Sequence, residues 1–238
     1  MGLAAPQVQA TIVWPRATDE VPANASVWIR VTTIRAVAQL GLEVDGAAVE
    51  TDVTLRHQAP APPWPSVPMP PGWVPSPPHA LYELRPPAPW TPGARASAFV
   101  HSVAVNPEPA PPPHVRSVDE PVANAVHQVE VARVDFLVTE PRAPGAARVW
   151  RPGADEPAWP SPFAAAQPPG APTSPFDAPA GEREVVRVEL DDAPAFVVAA
   201  GSDDVLLERP GGYDLRLAAP LRDVAVWSWA GTRMGVLR

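Results

Sequence analysis

The chain contains no cysteine and no lysine among its 238 residues. Without cysteine it can form no disulfide, no Cys-ligated zinc or iron–sulfur site and no cysteine nucleophile. All 18 cationic side chains are arginine, against 26 Asp and Glu, so the formal net charge is −8. A chain of this charge repels phosphate backbones, and no basic stripe reverses the sign locally. Nucleic-acid binding is therefore not expected.

Long apolar runs are also missing. No stretch approaches the roughly 18 consecutive apolar residues of a membrane helix, so we expect no membrane-spanning segment. Residues 1–6 have neither a charged region nor a long apolar region and do not read as a signal peptide. We expect a cell-envelope or extracellular protein if a signal was removed before Met1, and otherwise part of an intracellularly assembled particle.

Proline, in contrast, is abundant: with 37 Pro and 14 Gly, the two make up a little over a fifth of the chain. Each interior proline costs a helix about 3 kcal/mol, so a helical protein is close to excluded. The hydrophobic content of 46% is still sufficient for a sizeable core.

Alternation of apolar and polar residues predicts many short strands. The pattern is clearest in Ser26–Thr33, Arg95–Val105 and Gln128–Thr139, and Asp45-Gly46 predicts a two-residue hairpin turn. Further strands are expected at Val8–Trp14, Ala146–Trp150, Glu184–Leu190, Ala195–Ala199, Val205–Glu208, Tyr213–Ala218 and Asp223–Trp229. Short strands between turn signals are typical of β-sandwiches.

The fold prediction is all-β, with two Ig-like β-sandwich domains carrying long proline-rich loops. The first covers residues 7–106 with a Pro/Trp-rich insertion at 59–92, in which no regular sheet interior is expected. A proline-rich connector at 107–114 leads to the second sandwich, 115–238, with an insertion at 152–179. Residues 19–25 recur loosely as 119–125, which leaves a duplication open.

The segment from Trp14 to Val31, with its Val-Pro-x-Asn corner and alternating strand, resembles the opening of bacterial Ig-like domains of surface-layer and adhesin-type proteins. The hairpin at 44–49 and the Pro-Gly turn before residues 95–100 are similar to later parts of the same domains. The resemblance covers about residues 7–105. The chain departs from it in its long insertion and in having Ala98 or Phe99 where a tyrosine is often found. The second half is only generally Ig- or fibronectin type III-like. The resemblance implies the fold and a scaffold or adhesive role, not a reaction.

The sequence contains few motifs that indicate catalysis or the binding of a metal or cofactor. The five histidines (His57, His79, His101, His114 and His127) have no metal-ligand spacing, and no Gly-x-Ser-x-Gly elbow or phosphate-binding glycine loop occurs. We therefore predict no catalytic residue, no metal and no cofactor. Adjacent acidic residues are interpreted as turn formers. Calcium is the alternative, with Asp191, Asp203 and Asp204 as its ligands.

Nine tryptophans against two tyrosines are the positive anomaly. Trp64, Trp73, Trp90 and Trp159 lie in proline-rich loops and are the predicted binding residues, because indoles stack on sugars and anchor protein interfaces. The alternative is that they fasten the loops to the sandwich. Trp227 and Trp229, on the last predicted strand, are expected to pack in the core or between domains.

The predicted function is a non-enzymatic structural or adhesive protein that binds another protein or itself. One alternative is a phage- or particle-type subunit whose proline-rich arms wrap neighbouring subunits. The other is a carbohydrate-binding accessory module, which would make a glycan the ligand.

Overall fold

The computed structural model describes most of the chain and divides it into two compact units, Met1–Arg142 (unit 1) and Ala143–Arg238 (unit 2). The described residues are 7–34, 37–59, 79–105, 115–117, 119, 125–162, 183–199, 204–218, 221 and 223–237. They form seventeen β-strands, β1 to β17 in chain order. Within these ranges no helix has the length and apolar character needed to cross a membrane.

Unit 1 contains two sheets. Sheet A is antiparallel with the order β1-β3-β7-β6. Its strands are β1 (Gln7–Trp14), β3 (Val27–Ile34), β6 (Asp52–Gln58) and β7 (Ala80–Arg85). Sheet B has the order β2-β10-β8-β4-β5, and β9 also pairs with β4. Its strands are β2 (Glu20–Pro22), β4 (Val37–Val44), β5 (Ala47–Val49), β8 (Arg95–Val105), β9 (Val115–Ser117) and β10 (Ala125–Thr139).

The order of the seven principal strands of unit 1 is that of an Ig-like sandwich. Lettered A to G along the chain, β1, β3, β4, β6, β7, β8 and β10 separate into A-B-E-D in sheet A and G-F-C in sheet B. The short strand β2 runs parallel to β10. Its residues Val21 and Pro22 lie beside Val138 and Thr139, so it extends sheet B at the edge formed by β10.

The core of unit 1 includes the inner face of sheet B. Ala98 and Val100 on β8 are paired with Leu42 and Leu40 on β4, and all four side chains are buried. Burying a leucine of this kind contributes about 1.5–3 kcal/mol.

Unit 2 is a smaller antiparallel sandwich of three strands facing four. Sheet C has the order β11-β12-β15, and sheet D has the order β14-β13-β16-β17. The strands are β11 (Ala147–Trp150), β12 (Arg183–Leu190), β13 (Ala195–Ala199), β14 (Val205–Leu207), β15 (Gly211–Ala218), β16 (Val224–Ser228) and β17 (Arg233–Leu237). The two sheets share one core, which includes Val186, Val188, Val197, Leu215 and Val226. This is a sandwich of the Ig or fibronectin type III kind.

The all-β sandwich prediction is thus confirmed, and so is the hairpin turn. Asp45 and Gly46 both have positive φ, 50° and 81°, as a two-residue primed turn requires. β8 and β13 have the predicted bounds, and the other predicted strands match to within a few residues.

The predicted domain limits differ from the observed division. The structure separates the units after Arg142, not at the 107–114 connector, which lies outside the described residues. The reason is that β10, assigned to the second domain, pairs along its length with β8 and completes sheet B. Residues 19–25 and 119–125 therefore belong to the same unit and do not mark equivalent positions of two domains.

The expected irregular insertion at 59–92 also needs correction. Ala80–Arg85 forms β7, an internal strand paired with both β3 and β6. The prolines of the insertion lie outside this six-residue run, so the run can donate to both neighbours. Residues 60–78 lie outside the described residues, as do residues 163–179 of the second predicted insertion.

Candidate functional site

The outer face of sheet B is the best-defined polar surface of unit 1. Because directly opposed residues of antiparallel strands share a face, it can be followed from the register. Opposite the buried Ala98 and Val100, alternate β8 residues point to the outer side. Three rows cross this side, namely Glu130–His101–Gln39, Arg133–Phe99–Gly41 and Asp135–Ser97–Glu43.

An aromatic ring forms the centre of the outer face of sheet B. Phe99 lies directly over Gly41, where a Cβ would overlap the phenyl ring. The His101 ring lies beside it at 4.8 Å between centroids, and the Arg133 guanidinium lies 5.9 Å from the Phe99 centroid. Glycine is thus needed at position 41 of β4, because the Phe99 ring of the neighbouring strand β8 occupies the space that a side chain would fill.

Charged groups frame this ring. Arg133 donates to Glu43 and, at 3.3 Å, to Glu130, and it lies 3.4 Å from Asp135. Asp135 also accepts a 2.6 Å hydrogen bond from Ser97. The hydrogen bond to Glu43 is the largest cause of a raised pKa of Arg133, so its charge is permanent. On the histidine side of the ring, His101 Nδ1 lies 2.7 Å from the amide of Gln128.

Strand β10 carries exposed apolar side chains, of which Leu137 lies on this outer face and Val129, opposite Ser102, on the other face. Leu137, Val129 and Val131 are 43%, 45% and 39% exposed, and the only other large apolar side chain of comparable exposure among the described residues is Leu55, at 50%. Leu137 is paired with Arg95 and shares the outer face with Arg133. Val131 lies at an irregularity of register between Glu130 and Ala132. Apolar exposure in the described part of unit 1 is therefore concentrated on one strand.

In unit 2 a charged cluster fastens residues 151–162, here called the cap segment, to the outer side of sheet C. Arg187 on β12 is only 2% exposed although its neighbours Val186 and Val188 occupy the core side. Its guanidinium donates to Asp214 at 2.7 and 3.0 Å, to Glu156 at 2.8 Å and to the Pro157 carbonyl at 2.8 Å. Two of these partners, Glu156 and Pro157, belong to the cap segment.

Trp159 completes the same cluster. The Arg187 guanidinium lies 4.4 Å from the Trp159 ring, and Trp150 meets that ring edge-on with centroids 5.4 Å apart. The Trp159 backbone N–H donates to Asp214 at 2.8 Å. The hydrogen bond from Arg187 is the first cause of a lowered pKa of Asp214. The carboxylate is therefore ionised at neutral pH.

A second buried charge lies in sheet A. The Glu83 side chain on β7 is 3% exposed and is held by Ser26, Arg56 and Arg85. The Ser26 hydroxyl donates to it at 2.6 Å and the Arg56 Nε at 2.5 Å. Buried carboxylates are stable only when paired and hydrogen-bonded in this way. Glu83 and Arg187 thus serve the architecture of their units.

The structure places two of the four predicted binding tryptophans. Trp90 is buried, donates from Nε1 to the Ala25 carbonyl at 3.0 Å, and meets Phe136 edge-on at 5.5 Å. Trp159 is partly buried in the cap segment, as above. Both make the loop-fastening contacts of the alternative interpretation. Trp64 and Trp73 lie outside the described residues.

The last two tryptophans behave differently from each other. Trp229 is buried and donates from Nε1 to Asp192 at 2.8 Å. Trp227 is partly buried on β16.

Of the alternative calcium ligands, Asp191 is exposed, Asp204 is buried and Asp203 lies outside the described residues.

Sequence reasoning missed the outer face of sheet B as a unit and also one histidine pair. His57 and His79 are 22 positions apart, yet their rings lie 6.3 Å apart between centroids. No local spacing signals this approach, because it depends on the pairing of β6 with β7. The charged frame around Phe99 likewise depends on which strands are neighbours.

No protein-family model matches the sequence, and the comparison with curated proteins also gives no match. Among solved structures, the chain is similar to a structure of Clostridium thermocellum CbhA fibronectin(III)-like modules. The identity is 11% and the TM-score 0.25, with 96% of this chain and 90% of that chain covered. The Ig and fibronectin type III character of the fold accordingly rests on the strand order of the two units themselves.

Proposed function

We propose that this chain is a non-enzymatic structural or adhesive protein that binds another protein, or a second copy of itself, through the outer face of sheet B. The observation that carries the proposal is Leu137 of β10, which is 43% exposed and stands in the same face as the Arg133 frame. Arginine is enriched at protein interfaces, and exposed apolar side chains next to charged groups are part of their usual anatomy.

The buried charges support a non-enzymatic role. Glu83 and Arg187, the most buried ionised side chains described above, are both saturated by partners that hold strands or the cap segment in place. These side chains are occupied by contacts within the fold, whereas a general acid or base has to reach a substrate. The fold also supports this view, because sandwiches of this kind serve widely as scaffolds for binding surfaces.

The proline- and tryptophan-rich segments extend the same proposal. Trp64 and Trp73 lie between β6 and β7, and their binding role stays a prediction from the sequence. A partner that covers the outer face of sheet B would meet these segments only if they reach that side. The outer face is therefore the part of the proposal that can be tested first.

Site-specific photo-crosslinking tests it. p-Benzoylphenylalanine is placed at Leu137 and, as the matched control, at Leu55, which is comparably exposed but lies on β6 of sheet A. In cells that make the protein we expect an adduct from position 137 and none from position 55. The adduct mass separates a pair of identical chains from a complex with another protein. Adducts of equal yield from both positions, or from neither, would contradict the proposal.

A further inference from the structure

His57 and His79 lie at the junctions of two paired strands with the segment between them. His57 is the penultimate residue of β6, and His79 immediately precedes β7. The Ala59 N–H donates to the His79 carbonyl at 2.9 Å, which closes the pair of strands at this end. The backbone thus fixes the two histidines on neighbouring chains of the same sheet.

The side chains are close as well. The imidazole rings are tilted by 56° with centroids 6.3 Å apart, and their ligating nitrogens lie within 4.8 Å of each other. His57 is 8% exposed and His79 is partly buried. Two nitrogens bound to one tetrahedral ion at 2.0–2.1 Å are about 3.4 Å apart. Binding one ion therefore requires rotations of the two side chains that bring the nitrogens closer together.

We propose that His57 and His79 bind a divalent transition-metal ion of the zinc, nickel or copper class. Neutral imidazole is a preferred ligand of these ions, whereas calcium and magnesium require oxygen ligands. The two histidines supply two ligands, fewer than the four of a closed structural site, so water would complete the coordination of the bound ion.

The bound ion would connect the end of β6 to the start of β7. It would act where the backbone hydrogen bond from Ala59 to His79 already closes the ladder. Because an ion that binds only the folded chain stabilises it by mass action, the melting temperature of unit 1 should rise with metal concentration. This gives a readout that is independent of any partner.

The experiment uses the full chain without an affinity tag, freed of metal by a chelator, and titrates it with zinc chloride in a calorimeter. We expect one zinc ion per chain and a melting temperature that rises as zinc is added. His79→Ala and His57→Asn should each weaken binding by about tenfold or more, since loss of a direct ligand costs at least as much as loss of a supporting group. His114→Ala, a histidine outside the described residues, is the matched control and should bind like the unaltered chain.

The proposal is overturned by a chain that takes up no zinc, or by a site that both variants leave intact. It is equally overturned if His114→Ala removes the binding. His57 is the more buried of the two, so its variant is checked for folding by circular dichroism before titration. If that variant fails to fold, His79→Ala decides the question, because His79 lies outside both strands.

Discussion

Trp159→Ala tests whether the cap segment stabilises unit 2. Removing a fully buried tryptophan costs about 3–5 kcal/mol. Trp159 is partly buried, and the substitution removes its contacts with Trp150 and with the Arg187 guanidinium. We therefore expect a loss of about 2–3 kcal/mol. For a unit of this size, that lowers the melting temperature by about 10 °C or more.

Differential scanning calorimetry of the full chain measures this loss. The transition that belongs to unit 2 is identified with Leu215→Ala, which removes a buried core side chain of that unit. Asp155→Ala is the control within the cap segment, because its side chain is exposed. Trp159→Phe keeps an aromatic ring and should restore part of the difference.

A double-mutant cycle with Gly212 makes the test specific. A Cβ at Gly212 would overlap the Trp159 indole, so Gly212→Ala should be destabilising in the unaltered chain. In the Trp159→Ala background the obstacle is absent, and the same change should be nearly neutral. Additive effects, or a Trp159→Ala variant within about 0.5 kcal/mol of the unaltered chain, would refute the proposed docking of the cap segment.

Three further predictions concern single contacts. Gly41→Ala should destabilise unit 1 by about 1–3 kcal/mol in urea denaturation because its Cβ overlaps Phe99, and an unchanged midpoint would contradict the packing. Gly46→Ala should cost roughly 1–2 kcal/mol in the same assay, since φ is 81° there; a neutral effect would mean that the turn changes type. Asp214→Asn should lower the melting temperature of unit 2 at pH 7. Because Arg187 lowers the pKa of Asp214, this carboxylate stabilises the unit above about pH 4, and the two melting curves should converge as the pH falls further. A gap between the curves that stays constant down to pH 2 would argue against the ion pair.

Local patterns were enough to predict much of the strand content. β8 alternates over its whole length, and Asp45-Gly46 has the turn chemistry that its positive φ values require. These features depend on neighbours in sequence. β7 was missed for a related reason, because the prolines around it outweighed the short apolar run that contains Leu81 and Leu84.

Features that depend on pairing between distant strands could not be predicted. The connection between β8 and β10 is proline-rich, and composition alone made it look like a linker between domains. Arg187 occupies the solvent side of an alternating strand, and its burial follows only from the docking of the cap segment. The approach of His57 to His79 follows only from the register of β6 against β7. In each instance the residue types can be read from the sequence, whereas the residues they contact depend on the fold.

Because β10 is the last strand of unit 1 to be synthesised, sheet B is incomplete while the chain leaves the ribosome. When β8 has been synthesised, the hydrogen-bonding edge that β10 will occupy is still open, because β10 follows β8 in the chain. At ordinary rates of translation this nascent edge waits on the order of seconds. An open edge of this length is a template for pairing with other chains. Translation pausing or truncation before residue 139 would therefore leave an aggregation-prone half-sandwich in place of a smaller stable domain.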